Sequence, residues 1–282
     1  MHKITFGKIE KDFPENISEM TGAQYRYFCF LEMQRQLGKM EMAELEVLFV
    51  YFVLEMDHRI DAPLVVENVT QLRKLIQPYF TTEKRDQKTY IILNLDFVTN
   101  LLPVLEVGKT KLVGPGDALQ NCTYEEVFVH GQNALLDFSQ TREEKYLDQL
   151  VAILYRPAIN GKRPIFNAED IDEHFPLVQQ LNPEIKFGVF LFFASCHKFI
   201  TNANALDIGG GATVDIAQLF KPDPSQKKQK GIGSIGIIYS LAESGVFGNA
   251  KETAAYPAYD VLIRMVQLHE QYKEAKRNAK RK

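Results

Sequence analysis

The stretch covering residues 110–157 constrains the fold most, because it contains a turn signal, two helix starts and an abrupt helix stop. Four consecutive residues give the turn signal: Gly114, Pro115, Gly116 and Asp117. Proline presets φ for a tight turn, and the flanking glycines tolerate positive φ. At the other end, Pro157 disfavours the α conformation in Arg156 and predicts the end of a helix there.

Two Thr–Glu pairs in this stretch have the spacing of a capping box. Thr123 precedes Glu126, and Thr141 precedes Glu144. In a capping box the threonine hydroxyl accepts a hydrogen bond from the glutamate's backbone amide, and the glutamate side chain reaches back to the threonine amide. Apolar residues follow each pair at helical spacing. The stretch therefore predicts a helical hairpin with two capped helices.

Helical patterns also occur before and after this hairpin. We expect helices near residues 21–38, 40–56, 63–77 and 167–181, and another from residue 183 onward. The runs LEVLFVYFVLEM and FGVFLFFASCHKFI are apolar on nearly every side but too short to span a bilayer, which favours helices inside a core. The segment 89–97 has the composition of a strand, and we expect 105–114 to pair with it.

The composition changes after residue 207. Residues 208–231 are rich in Gly, Pro, Lys and Gln, which favours a flexible linker with a hinge at Gly209, Gly210 and Gly211. Helices are predicted near 235–244 and 257–277, followed by a basic end that frays into solvent. The overall expectation is a mainly α protein: a bundle-like body at 1–207 with a small β-hairpin at 89–113, a linker at 208–231, and a helical segment at 232–282.

The net charge and the number and spacing of the cysteines limit the classes of protein that we expect. The net charge of −3 provides no global field for nucleic acid or an anionic membrane. Cys29, Cys122 and Cys196 are odd in number and far apart, so we expect free thiols in a reducing cytoplasm. The first residues lack the apolar core of a signal peptide, and no apolar run reaches membrane-spanning length. We expect a soluble, unexported protein.

One segment does resemble a catalytic motif. DIGGGATVD, beginning at Asp207, resembles the second phosphate-binding turn of actin-like ATPases, but the expected first phosphate loop near the N-terminus is missing. Gly108-Lys109-Thr110 lacks the earlier glycine of a Walker loop. The histidines are scattered singly, without metal-ligand spacing. We expect no enzyme, cofactor or metal; the alternative is a nucleotide-binding enzyme that uses the turn at 207–211.

Two stretches resemble phage proteins. KLVGPGDALQNCTYEE and LDQLVAILYRP are similar to the patterns GP-x-D-x-L-x-N-x-T-[FY]-x-E and LD-x-LVA-x-LYRP in uncharacterised phage and prophage proteins of Bacteroidetes-type bacteria. Residues 237–272 are similar to helical segments of phage tail-module proteins encoded near the tape-measure protein. The resemblance implies a non-enzymatic tail-assembly chaperone or a tail or virion component. Its partner would be a tape-measure or other tail protein, or a second copy, and its location the bacterial or host cytoplasm or the virion.

Overall fold

Helices make up most of the chain, and short antiparallel strands connect them. The computed structural model describes residues 1–6, 8–56, 63–221 and 233–281. The helices are α1 (Gly22–Gln36), α2 (Met42–Val53), α3 (Pro63–Leu72), α4 (Gln132–Thr141), α5 (Glu144–Leu154), α6 (Ile171–Val178), α7 (Pro183–Thr201), α8 (Gly233–Glu243), α9 (Ala250–Ala254) and α10 (Ala258–Arg281). A π-helix, Glu125–Gly131, leads directly into α4. The helix-rich character predicted from the sequence is confirmed.

The strands form four small sheets within the described ranges. They are β1 (His2–Phe6), β2 (Ile9–Phe13), β3 (Phe80–Arg85), β4 (Lys88–Leu93), β5 (Val104–Val107), β6 (Thr110–Val113), β7 (Arg156–Pro157), β8 (Leu206–Asp207) and β9 (Thr213–Val214). The pairings are β1–β2, β3–β4, β5–β6–β7 and β8–β9, all antiparallel. The fold is therefore mixed α/β, whereas the sequence predicted one β-hairpin in a helical body.

The predicted pairing of residues 89–97 with 105–114 is wrong, because each segment pairs with its nearest neighbour in sequence. β4 pairs with β3 across a two-residue loop, Asp86 and Gln87, in which both residues have positive φ. This backbone matches the twist of the two flanking strands. β5 pairs with β6 across a turn that contains Gly108 at φ 58°. β7 then joins the free edge of β6, at the predicted helix stop itself.

α7 is the central helix of the core. It lies against α1, α4 and α5, and Phe192, Phe193 and Cys196 are buried on it. α1 approaches closely because Gly188 has no side chain: a Cβ there would lie 3.2 Å from the Cys29 Sγ atom. The Tyr25 hydroxyl donates a 2.7 Å hydrogen bond to the Gly188 carbonyl at this crossing. The run FGVFLFFASCHKFI is thus mostly interior, as its composition predicts.

α2 buries only one side, unlike α7. Leu45, Phe49 and Val50 are buried, whereas Phe52 is exposed. Phe49 packs edge-to-face on Phe28, with ring centroids 5.3 Å apart. Edge-to-face aromatic packing adds to the stabilisation from buried area. The apolar run of α2 therefore forms one wall of the core and not its centre.

The part of the predicted linker that the structure describes is folded, and the C-terminal segment packs on the body. Residues 208–221 contain the tip and the second strand of the β8–β9 hairpin and also the buried Ile216; the rest of the predicted linker lies outside the described residues. The Tyr124 amide donates to the Tyr256 carbonyl at 2.9 Å, and the Ala258 amide donates to the Cys122 carbonyl at 3.0 Å. The C-terminal helices thus pack on the start of the central hairpin, and α10 continues as helix through the basic end to Arg281.

Candidate functional site

The predicted turn at Gly114-Pro115-Gly116-Asp117 is an extended connection, not a tight turn. Gly116 has φ −70° and ψ 173°, and the positive φ values occur later, at Ala118 (51°) and Leu119 (60°). Gly114 is needed for a different reason, since a Cβ there would lie 2.4 Å from the Cε1 atom of the Tyr155 ring. The connection therefore serves close packing against Tyr155.

The first Thr–Glu pair forms half of a capping box. The Thr123 hydroxyl accepts a 3.1 Å hydrogen bond from the Glu126 amide, and the Thr123 carbonyl accepts one from the Val127 amide. The Glu126 side chain does not return to the Thr123 amide. It is fully buried and faces Arg156 and Arg163 instead. Pairing with two guanidinium groups replaces the local hydrogen bond that the spacing predicts.

The second predicted capping box is wrong. Thr141 is the last residue of α4, and its hydroxyl donates to the Asp137 carbonyl at 2.8 Å. Arg142 takes a left-handed conformation at φ 60° and ends α4, so the N-cap of α5 falls on Glu143, without a side-chain cap. Glu144 instead accepts a 3.0 Å hydrogen bond from the Lys186 Nζ atom.

The predicted glycine hinge is the tip of the β8–β9 hairpin. Gly209, Gly210 and Gly211 have φ values of 88°, 64° and 78°, which L side chains rarely adopt. The Asp207 Oδ1 atom accepts a 2.8 Å hydrogen bond from the Gly209 amide. A Cβ placed on any of the three glycines would meet no described atom within 4 Å. Among the described residues, no atom therefore lies close to the side of the glycines where a Cβ would point.

A groove of about 780 Å³ opens beside β4, and we call it the β4 groove. One wall consists of residues 33–37 and Lys39, at the end of α1, and the opposite wall consists of residues 90–93 of β4. The ends of three other helices complete the groove through Phe138, Arg142, Glu144, Leu147, Pro183 and Phe187. Neighbouring side chains of a strand point to opposite faces. Four consecutive lining residues therefore place β4 edge-on to the groove.

The β4 groove combines exposed apolar side chains with a basic rim. Leu37, Tyr90 and Ile91 are exposed by 59%, 46% and 47%. The Arg142 guanidinium carbon lies 5.6 Å from the centre of the Phe138 ring, and Lys39 is exposed nearby. Of the three basic lining residues, Arg35 pairs with the buried Glu32, which leaves Lys39 and Arg142 as the exposed cations; the one acidic lining residue is Glu144. The surface is suited to an apolar segment that also carries negative charge.

A second, smaller site lies at the opposite end of α5, and we call it the arginine pocket. It is a cavity of about 250 Å³ lined by residues 120–123, Arg156, residues 163–166, Ala255 and Pro257. Two of its lining residues, Arg156 and Arg163, pair with Glu126 behind the wall, and we call these three residues the arginine cluster. The spacing of these residues in the sequence does not predict that Arg163 pairs with Glu126, because α4, α5 and β7 lie between them and their packing brings the two residues together.

The geometry of the arginine cluster ties four segments together. Arg156 Nη1 donates to Glu126 Oε1 at 3.1 Å and to the Ile153 carbonyl at 2.7 Å. Arg156 Nε donates to the Pro164 carbonyl at 3.1 Å. Arg163 pairs with the same Glu126 oxygen and also donates to the Leu154 and Asn121 carbonyls. The cluster thus fixes the loop after β7 to the end of α5 and to the π-helix.

The three predicted free cysteines are all buried thiols. Burial raises the pKa of Cys29 and Cys196, and burial together with the nearby Glu126 raises the pKa of Cys122 well above its ordinary value. A thiol with a raised pKa stays protonated at neutral pH and is a poor nucleophile. The cysteines therefore act as small apolar core residues.

Across the described parts of the chain, no three His, Cys, Asp or Glu side chains are grouped so as to hold a metal ion. None of the described helices is both long and apolar enough to cross a membrane. No protein-family model, curated protein or solved structure matches the chain.

Proposed function

We propose that the protein is a non-enzymatic assembly factor of a phage or prophage tail, an assembly chaperone or a tail or virion component that acts by binding another protein. The observation that supports this proposal is the β4 groove, with its exposed Leu37, Tyr90 and Ile91. Contiguous exposed apolar surface rimmed by polar residues is typical of a protein-binding site. The phage context comes from the resemblance of residues 111–157 and 237–272 to tail-module proteins.

The proposed occupant is an amphipathic helix of a tape-measure-like tail protein. Such a helix places apolar side chains at i, i+3, i+4 and i+7 in a groove, and its flanking residues meet the rim. Lys39 and Arg142 are exposed at this rim, so acidic flanking residues fit it best. Binding before the tail assembles places the protein in the bacterial or host cytoplasm. A component that stays bound would also occur in the virion.

The alternative function, a nucleotide-binding enzyme that uses the turn at 207–211, has less support. Its glycines lie at an exposed hairpin tip, where a Cβ would meet no described atom within 4 Å. A phosphate site needs several backbone amides and a basic group converging on one point. ATP should therefore leave the melting temperature unchanged, and a saturable increase that Gly210→Val abolishes would favour the enzyme.

The main test is co-expression with the tape-measure protein of the same tail module. We expect the chain to keep that protein soluble and to form a complex with it that survives size-exclusion chromatography. Ile91→Asp and Leu37→Glu, both at exposed groove positions, should abolish the complex without lowering the melting temperature. Ile9→Asp is the matched control, because Ile9 is an exposed isoleucine on a two-stranded sheet outside the groove.

Synthetic peptides distinguish binding in the β4 groove from nonspecific hydrophobic binding. An amphipathic helix with leucines at the four facing positions and flanking glutamates should bind in fluorescence anisotropy, whereas the same peptide with flanking lysines should bind more weakly. Equal binding of both peptides, or equal binding by Ile91→Asp and Ile9→Asp, would contradict the proposed site. Sedimentation velocity tests the competing occupant: a dimer that Ile91→Asp dissociates would assign the groove to a second copy of the chain.

A further inference from the structure

The wall of the arginine pocket carries two positive charges and no negative charge. Among its described lining residues, Arg156 and Arg163 are the charged ones; the others are apolar or neutral polar residues. Glu126 lies behind the two guanidinium groups and pairs with both. Two cations and one carboxylate leave one positive charge in a place where all three side chains are at most 6% exposed. Buried charge is costly unless a partner neutralises it.

Both guanidinium groups also have hydrogen-bonding capacity left. A guanidinium has five N–H groups. Arg156 uses four of them, on Glu126 and on the Pro164 and Ile153 carbonyls. Arg163 likewise uses four, on Glu126 and on the Leu154 and Asn121 carbonyls. Within the described structure, one N–H remains on Arg156 Nη2 and one on Arg163 Nη1, and both residues line the cavity.

We propose that the arginine pocket binds one carboxylate group attached to a small apolar body. A carboxylate supplies the single negative charge that the cluster lacks, and its two oxygens accept from planar guanidinium donors. Phe166, Pro257 and Ala255 give the same cavity an apolar side. At about 250 Å³, the cavity has room for a short organic acid, since a water molecule in the liquid takes roughly 30 Å³.

The site is a binding site and not a reactive one. Cys122 lines the pocket, but burial and Glu126 raise the pKa of its thiol, which keeps it protonated. The carboxylate comes from one of two sources: a free small acid, or the C-terminus of a protein or peptide. This inference is independent of the β4 groove, because the pocket lies at the other end of α5 and shares no lining residue with it.

Isothermal titration of the full chain at constant ionic strength tests the proposal. The probes are butyrate, benzoate, inorganic phosphate, and a short peptide ending either in a free carboxylate or in an amide, with sodium chloride as the blank. We expect saturable one-to-one binding of butyrate or benzoate if the source is a free acid. Binding of the peptide acid but not of its amide would identify a protein terminus, and either result supports the carboxylate site.

Two variants act on the site in different ways. Arg163→Gln removes one donor and one charge and should weaken binding about tenfold or more. Ala255→Leu adds bulk at the exposed mouth of the cavity without touching the cluster, and it should abolish binding while the melting temperature stays unchanged. It therefore remains informative if Arg163→Gln folds poorly. Arg26→Gln, at an exposed arginine on α1, is the matched control and should bind like the original chain.

Three results would overturn the proposal. The first is the absence of saturable binding of every carboxylate probe. The second is tighter binding of inorganic phosphate than of the carboxylates, which would mean that the pocket recognises a different anion. The third is carboxylate binding that Ala255→Leu and Arg163→Gln leave unchanged, which would place the binding elsewhere on the chain.

Discussion

Two groups of three charged residues hold the ends of α5, and they have opposite charge balances. The arginine cluster at the end of α5 has two cations and one anion, whereas the lysine cluster at its start has one cation, Lys186, and two anions, Asp148 and Glu144. Lys186 Nζ lies 2.6 Å from Asp148 and 3.0 Å from Glu144. The two clusters differ most in where the surplus charge lies.

In the lysine cluster the surplus negative charge is hydrated. Glu144 is 60% exposed, while Lys186 and Asp148 are buried as a neutral pair. Burial lowers the pKa of Lys186, but pairing with Asp148 and Glu144 outweighs burial, so its pKa is raised. In the arginine cluster, burial is the larger influence and lowers the pKa of Arg156 despite Glu126. An unbalanced cluster is thus stabilised by water at one end of α5 and by backbone carbonyls at the other.

The largest expected effect is the loss of the Glu126 carboxylate. Glu126→Gln leaves two buried guanidinium groups without their anion, and we expect the free energy of unfolding to fall by about 3–5 kcal/mol. Urea unfolding followed by circular dichroism measures this change. Glu125→Gln is the control, since Glu125 is partly exposed and pairs with His130 at 3.6 Å; it should cost less than about 1 kcal/mol. Similar losses for both variants would mean that the cluster contributes little.

In the lysine cluster, a buried and an exposed ion pair can be compared at one residue, because Lys186 pairs with the buried Asp148 and the exposed Glu144. Lys186→Met leaves Asp148 buried and unpaired, so the free energy of unfolding should fall by about 3 kcal/mol. Glu144→Gln removes the hydrated partner and should cost about 0–1 kcal/mol. Both changes are measured by urea unfolding at low and high salt. A larger loss for Glu144→Gln than for Lys186→Met would reverse the roles we assign to the exposed and the buried carboxylate.

Local sequence signals predicted the helices well and the ion clusters not at all. The apolar run of α7 and the stop at Pro157 depend on composition and backbone chemistry within a few residues, so the sequence contains them. Glu126 has the spacing of a capping residue, yet Arg163, a distant residue in sequence, determines where its carboxylate lies. Long-range pairing of this kind is decided by tertiary packing, which periodicity does not encode.

Turn chemistry explains two further differences. Asp86 and Gln87 take positive φ without glycine, so the local sequence does not indicate the β3–β4 hairpin, and the sequence predicts the wrong partner for β4. Conversely, the glycines after Asp207 predicted a mobile linker, but they form a hairpin tip followed by the buried Ile216. Glycine content indicates which backbone conformations are available; it does not indicate whether the segment is anchored.

The two predicted capping threonines give a smaller contrast, because Thr123 caps the start of the π-helix whereas Thr141 lies at the end of α4. Thr123→Ala removes the acceptor of the Glu126 amide and should lower the free energy of unfolding by about 0.5–2 kcal/mol. Thr141→Ala removes the bond to the Asp137 carbonyl and an exposed 3.2 Å bond from the Glu143 amide, and it should stay within about 0.5 kcal/mol of the original chain. Thermal or urea unfolding of the two variants measures this difference. Equal losses of unfolding free energy would mean that Thr123 contributes no more as a cap than Thr141 does at a helix end.

The last and smallest effect concerns a buried titratable group that is kept neutral. His197 packs against Phe128 and Phe193, its Nε2 atom has no hydrogen-bond partner within the described structure, and burial lowers its pKa below the ordinary 6.5. The unfolded chain therefore binds a proton more readily than the folded chain. The contribution of His197 to stability is complete above the ordinary pKa and is lost as the pH falls below it.

Between pH 7.5 and 5.5, the melting temperature should therefore decrease, and His197→Phe should make that decrease shallower because the ring no longer binds a proton. The decrease does not vanish, since burial also lowers the pKa of His174. The quantity to compare is the slope of the melting temperature against pH, because a change in packing shifts the melting temperature at every pH without altering this slope. A His197→Phe slope as steep as that of the original chain would mean that His197 is protonated equally in both states, and that the interior tolerates its charge.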